Sequence, residues 1–208
     1  YYSQPLLEEL SRFFNVSSSI IGISAMLIQI GYALGLIFLV PLGDIKERRG
    51  LIITMLFCSS ISLIFLSFAS NIYWLLISSL LVGLTSIIPM LIVPLAAHLA
   101  NPAERGKVIG TVMSGLLIGI LVSRVFSGII GSVLGWQVVY RIAAGMMGLL
   151  IIIFNLWLPK SVPDTYMNYG QLLKSLVGLL KNQLVLKEAS LIGAMMFGSF
   201  SIFWATLS

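Results

Sequence analysis

The chain of 208 residues is 59% hydrophobic and only 9% charged, and it carries a net charge of +5. Soluble domains are about 45–50% apolar and about 25% charged, so this chain has too little polar surface to face water, and its solvent is lipid. The basic excess then belongs to loops on the cytoplasmic side of a membrane. No Lys/Arg-rich arm with interleaved aromatics is present to suggest nucleic acid.

A helix rises 1.5 Å per residue, so about 20 apolar residues cross a hydrocarbon core of roughly 30 Å. The opening "YYSQPLLEEL" reads as the exit end of an earlier span, with Tyr1 and Tyr2 at interface depth. With no initiator Met and no basic-then-apolar leader, the N-terminus reads as cut. Five complete apolar runs follow, at about 20–41, 51–69, 72–98, 108–132 and 137–158, and a sixth starts near 189. The single cysteine, Cys58, lies inside the second run and reads as a small packing residue. Tyr73, Trp74, Trp136, Tyr140 and Trp157 fall at span ends, where aromatic belts belong.

Loops on one side hold nine Lys and Arg: Lys46, Arg48, Arg49, Arg105, Lys107, Lys160, Lys174, Lys181 and Lys187. Loops on the other side hold Arg12 alone, and the turns "ASNIYW" and "GSVLGWQ" are uncharged. The sides alternate strictly, so loops 42–50, 100–107 and 159–188 are expected in the cytoplasm. Within 169–184, Leu172, Leu173, Leu176, Leu180 and Leu184 recur at helical spacing, apart from most of the polar residues. That pattern predicts an amphipathic helix on the inner leaflet, with lysines reaching for anionic lipid; a soluble linker helix is the alternative. The expected organisation is an all-α membrane bundle over 1–158, a linker over 159–188, and the start of a second bundle over 189–208.

Residues 41–52, "PLGDIKERRGLI", stand out, because five of the six residues from Asp44 to Arg49 are charged. Basic residues in a short loop anchor topology, but topology does not require acids. Asp44 and Glu47 set among Lys46, Arg48 and Arg49 make a balanced cluster, able to pair with a moving element and release it.

"PLGDIKERRG" resembles the cytoplasmic helix 2–3 motif of the major facilitator superfamily, roughly G-x-x-x-D-R-x-G-R-R. Asp44 matches its acid and Arg48–Arg49 its paired bases, while Val40 and Glu47 stand where its two glycines are usual. "YYSQPLLEELSRFF", "NPAERGKVIGTVMSGLLIGI" and "SGIIGSVLGWQVVY" are also similar to the drug:proton antiporter branch, in its bacterial efflux-like members. The resemblance implies the N-terminal six-helix half of a major facilitator fold plus the start of helix 7. It further implies export of a small molecule such as a drug, sugar or metabolite, coupled to protons, by two halves rocking about a central site. The setting would be a bacterial inner membrane, with the C-terminal half of the same transporter as partner. Asp44, Glu47, Arg48 and Arg49, with Glu104 and Arg105 from the next loop, would then form a latch between the halves. Asp44 is also expected to suit a helix N-terminus, where the partial positive charge favours an acid.

Inside the spans, small residues recur every four positions at Gly115, Gly119, Ser123, Ser127 and Gly131, a face that lets another backbone approach closely. Arg124 stands one residue off this ladder, where a base is costly and should face a cavity or a partner. It is a candidate for substrate binding or proton coupling, or else a bundle-holding residue. Gln29 and Tyr32 share a face and could line a cavity or bond a neighbouring helix. Thr85 and Ser86 precede Pro89 and Pro94, which should bend their helix. Asn155 reads as a helix–helix hydrogen-bonding residue. The antiporter pattern G-x-x-x-G-P-x-x-G-G is matched at Gly115 and Gly119, but Ile120 replaces its Pro and Ser123–Arg124 its last pair. Ser79 likewise replaces an expected Arg four residues before Gly83. One His, one Cys and no acid within the complete spans offer no nucleophile–base pair and no metal cluster, so no enzyme activity, metal or cofactor is expected. Metabolite uptake and a non-transporting membrane sensor are the rival readings.

Overall fold

The computed structural model describes residues 4–161 and 168–206. Every regular element among them is helical, as the apolar runs predict, and five helices or helix pairs are long and apolar enough to cross a membrane. The chain divides into two compact units, Tyr1–Asp164 and Thr165–Ser208.

The first unit opens with a 3-10 turn, Gln4–Leu6, running into α1, Leu7–Phe14. Asn15 ends α1 in the left-handed conformation at φ 52°, a common helix terminator, and returns its N–H to the carbonyls of Arg12 and Ser11. α2 spans Ser18–Phe38 and gives way to a 3-10 segment, Val40–Asp44, at the charged turn. α3 follows at Arg48–Ser67. The next span, Ile72–Leu99, is broken into α4, Ile72–Thr85, and α5, Ile88–Leu99. The break has a covalent cause: Pro89 has no N–H to give the Thr85 carbonyl, and its ring crowds that carbonyl. α6, Arg105–Leu134, and α7, Trp136–Trp157, complete the unit and meet at Gly135, whose φ of +88° suits glycine.

α2 packs chiefly on α4, and α3 on α7. The first contact is unusually close. A Cβ added to Gly31 would lie 2.2 Å from the Leu80 carbonyl oxygen, and one added to Gly83 would lie 2.1 Å from that of Ile28. Gly35 continues the seam, with 2.6 Å to the Leu84 oxygen. Lipid tails are as apolar as leucine, so close packing rather than burial from water holds such a pair together.

Two apolar clusters fill the unit. At the end nearest the charged turn, Leu51, Ile52, Leu56, Ile87, Leu91 and Leu95 are buried together, with Tyr32 packed on them. At the opposite end, Leu6, Leu10, Ile21, Leu63, Leu75, Trp136 and Tyr140 form the other cluster. Elsewhere, Phe57, Ile77, Ile118, Val125, Ile129 and Leu156 are exposed, as lipid-facing positions require.

The second unit holds α8, Tyr169–Asn182, and α9, Leu184–Thr206. Asn168 and Gln171 form a capping box at the start of α8. Leu172 is buried, while Lys174 is exposed. Leu184, read from the sequence as the last residue of the amphipathic helix, instead opens α9.

Candidate functional site

At the charged turn, the sequence places a carboxylate just ahead of a helix, and the helix uses it. Glu47 is the N-cap of α3: its side chain accepts from the N–H of Arg49 at 3.0 Å and of Gly50 at 2.7 Å. The absence of a side chain at position 50 permits this, since a Cβ there would lie 2.9 Å from Glu47 Oε2. A carboxylate at this position satisfies orphan donors and faces the positive end of the helix. Asp44, expected at a helix N-terminus, instead ends the 3-10 segment, and Glu47 holds the cap. The backbone cannot enter α3 until it has passed Ile45, which lies outside the helical region at φ −120° and ψ −13°.

The same turn is fastened to the far end of the unit's sequence. Ser161 N–H donates to Glu47 Oε1 at 3.3 Å, and Arg48 N–H donates to the Ser161 carbonyl at 3.2 Å. Arg49 donates to the Asn155 side-chain oxygen at 2.9 Å and to its backbone carbonyl. That carbonyl lies in the last turn of α7, where a cation is favoured. Asn155 thus makes the interhelical bond its residue type suggested. Arg48 turns inward, donating through Nε to the Gly43 carbonyl at 3.1 Å.

Asp44 stands apart from this set. Its side chain is 64% exposed, and its carboxylate is 3.8 Å from the Arg48 guanidinium, beyond hydrogen-bond length. Glu104 and Arg105 open α6 and are exposed, and neither makes a side-chain hydrogen bond or ion pair with the described residues of the turn. Of the six residues grouped from the sequence, the structure therefore brings together Asp44, Glu47, Arg48 and Arg49.

The cap is testable by itself. Glu47→Ala should cost about 1–2 kcal/mol and lower the melting temperature in detergent by about 3–6 °C. Glu47→Gln, which keeps the acceptor oxygen, should lose less than half of that. Scanning fluorimetry of the three proteins checks it.

The intramembrane candidates are more scattered. Gln29 is exposed on α2 and Tyr32 is half-buried. Thr85 Oγ1 donates back to the Leu81 carbonyl at 3.0 Å, and Ser86 Oγ to the Val82 carbonyl at 2.6 Å. These hydroxyls thus donate within α4, next to the proline break, and keep only their lone pairs for another group. Arg124 is half-buried on α6 and flanked by Ser123 and Ser127, whose hydroxyls donate to the Ile120 and Arg124 carbonyls. The small-residue ladder divides in two. Ser127 and Gly131 are buried, and Leu6 is seated against Gly131. Gly115 and Gly119 have none of the described residues within 4 Å of an added Cβ.

Sequence reasoning missed three participants. Gly83 entered only as part of an unmatched motif, yet it sits on the seam between α2 and α4. Ser161 carried no signal, because it contributes only backbone atoms. Glu47 was legible as a charge and not as a cap, since Glu is not among the residues that favour that position.

The sequence profile of the Major Facilitator Superfamily matches residues 1–208. The chain is 39% identical over 208 residues to a protein of Escherichia coli O157:H7 named "Uncharacterized transporter YgaY", covering 100% of this chain and 53% of that one. It is 29% identical over 211 residues to a protein of Streptomyces coelicolor named as a probable transporter, covering 100% of this chain and 48% of the other. With an MFS-type transporter of Bacillus subtilis the identity is 24% over 202 residues, covering 96% of this chain and 50% of the relative. The chain spans about half the length of the curated relatives it matches. With its profile matched from end to end and five apolar spans in an all-helical bundle, the chain belongs to the major facilitator superfamily and is a multi-pass membrane protein.

Proposed function

We propose that this chain is the N-terminal half of a secondary transporter that moves a small molecule by alternating access. The family and the transporter names of its relatives support that reading. The finer reading is proton-coupled export across a bacterial inner membrane, with loops 42–50, 100–107 and 159–188 in the cytoplasm. It follows the resemblance of the charged turn and of the α1 and α6 sequences to drug:proton antiporters. The partners are a small-molecule substrate, protons, the lipid bilayer and the C-terminal half of the same transporter; no nucleic acid, cofactor or metal takes part.

One observation carries the mechanism. Glu47, Arg48 and Arg49 are bound within their own unit, and Asp44 is held out beside them with most of its side chain exposed. A rigid turn carrying one protruding acid is suited to touch a separate body and release it. An exposed pair contributes only about 0–1 kcal/mol, weak enough to break in every cycle. Glu104 and Arg105 would join when the halves approach.

Arg124, Gln29 and Tyr32, with the lone pairs of Thr85 and Ser86, are the proposed substrate or coupling groups. Arg124 is the strongest of them, because a guanidinium inside a span is kept only where it finds anions or acceptors. In proteoliposomes holding the whole transporter, Arg124→Ala should reduce substrate-driven proton movement at least about tenfold, with the melting temperature within about 2 °C of the parent. A large fall in melting temperature together with the flux would make Arg124 a bundle-holding residue and remove it from the site.

A further inference from the structure

Unlike the five spans, α8 is two-faced, and the transport reading does not use it. With about 100° between successive residues, Tyr169, Leu172, Leu173, Leu176 and Leu179 share one arc about 120° wide. Gly170, Gln171, Lys174, Ser175, Gly178 and Asn182 fill the opposite side. Leu172 is buried, but Leu176 and Leu179 are 36% and 47% exposed, so the described residues cover this stripe only in part. Within its unit α8 packs on α9.

Charge completes the pattern. No acid lies between Asp164 and Glu188, whereas Lys174, Lys181 and Lys187 do. Lys174 and Lys187 are exposed. A lysine on the polar side of such a helix can lay its stem along apolar surface and hold its ammonium at lipid phosphates. The covalent setting is equally specific. A single residue, Gln183, joins α8 to α9, and its extended backbone (φ −108°, ψ 103°) stops the two from running on as one helix. α9 exposes Leu184, Leu191, Met195 and Met196 at 60% or more, as a helix among lipid tails does. A break at the mouth of such a helix leaves α8 at the membrane surface.

We propose that α8 lies on the cytoplasmic leaflet, with Leu176 and Leu179 at the acyl boundary and its lysines on anionic headgroups. The docked partner is a lipid surface rather than a protein. One leucine stripe with a uniformly basic remainder suits a fluid, negatively charged plane. The cytoplasmic side rests on the topology proposed above, and the contact with lipid does not.

The test is quenching by lipid. In a whole transporter freed of its native cysteines, Leu176→Cys and Gln171→Cys each carry a fluorophore. The vesicles are phosphatidylcholine with about 30% phosphatidylglycerol and a lipid spin-labelled on its acyl chain. Quenching at Leu176→Cys should exceed that at Gln171→Cys by at least about threefold. Combining Lys174→Glu with Lys181→Glu, or omitting phosphatidylglycerol, should lower it by at least about half. Equally weak quenching at both sites would overturn the proposal and leave a soluble linker helix. A shielded label at Leu176→Cys that lipid does not quench would also overturn it, by placing the leucine face on protein. Quenching indifferent to charge would overturn the anionic partner. Lipid quenching reads the same from either leaflet, so the topology is checked separately. A membrane-impermeant maleimide applied to intact cells should leave Gln171→Cys unlabelled, and fast labelling would overturn the cytoplasmic placement alone.

Discussion

Replacing Gly83 with valine should cost about 3 kcal/mol and lower the melting temperature in detergent by about 10 °C. The size of the effect comes from what the new side chain would meet. At position 83, even a Cβ would lie 2.1 Å from the Ile28 oxygen and 2.9 Å from its Cα, both backbone atoms. A side chain can rotate away, whereas a helix backbone can yield only by moving the helix. α2 would therefore shift off α4 and lose the Gly31 and Gly35 contacts along with that at Gly83. Gly115→Val is the control. It puts the same side chain on a transmembrane helix where none of the described residues lies within 4 Å, so it should leave the isolated bundle within about 1 kcal/mol of the parent. Size-exclusion profiles and melting curves of the two variants separate the seam from the ladder. Similar losses in both would contradict the packing described here.

The contrast between these glycines shows what a single sequence reveals. Recurrence every four residues is visible along one helix, so Gly115, Gly119, Ser123, Ser127 and Gly131 stand out. Which members of that face are filled is a matter of three dimensions, and within the described residues Ser127 and Gly131 are the buried ones. Gly31 and Gly83 lie on different helices and share no period, so no pattern announces their contact. The spans were legible because hydrocarbon thickness fixes their length. The bend before Pro89 was legible because proline chemistry is local. The roles of Thr85 and Ser86 had a readable signal: hydroxyls inside a helix commonly bond back to their own carbonyls. The ties from Glu47 and Arg48 to the backbone of Ser161 had none, since a backbone partner leaves no mark on residue type.

Asp44→Asn should reduce transport at least about tenfold while leaving folding and insertion unchanged. Asparagine keeps the size and most of the hydrogen-bonding capacity of the acid and removes only its charge. Within its own unit, that charge contributes little. The nearest base, on Arg48, is 3.8 Å away, and the Asp44 side chain is 64% exposed, so screening by water leaves about 1 kcal/mol at most. The helix cap belongs to Glu47 and the tie to α7 belongs to Arg49, and neither involves Asp44. A loss of transport therefore has to arise where the turn meets something outside this unit. Glu47→Ala should behave in the opposite sense, losing stability first and transport only in proportion.

The most direct measurement is the initial transport rate of Asp44→Asn in the whole transporter, with the amount in the membrane and the melting temperature matched to the parent. A fall of about tenfold or more at unchanged stability is the result that a latch between two moving halves predicts. Transport equal to the parent would contradict it, and would leave the charges of "GDIKERRG" as a topology anchor and helix cap.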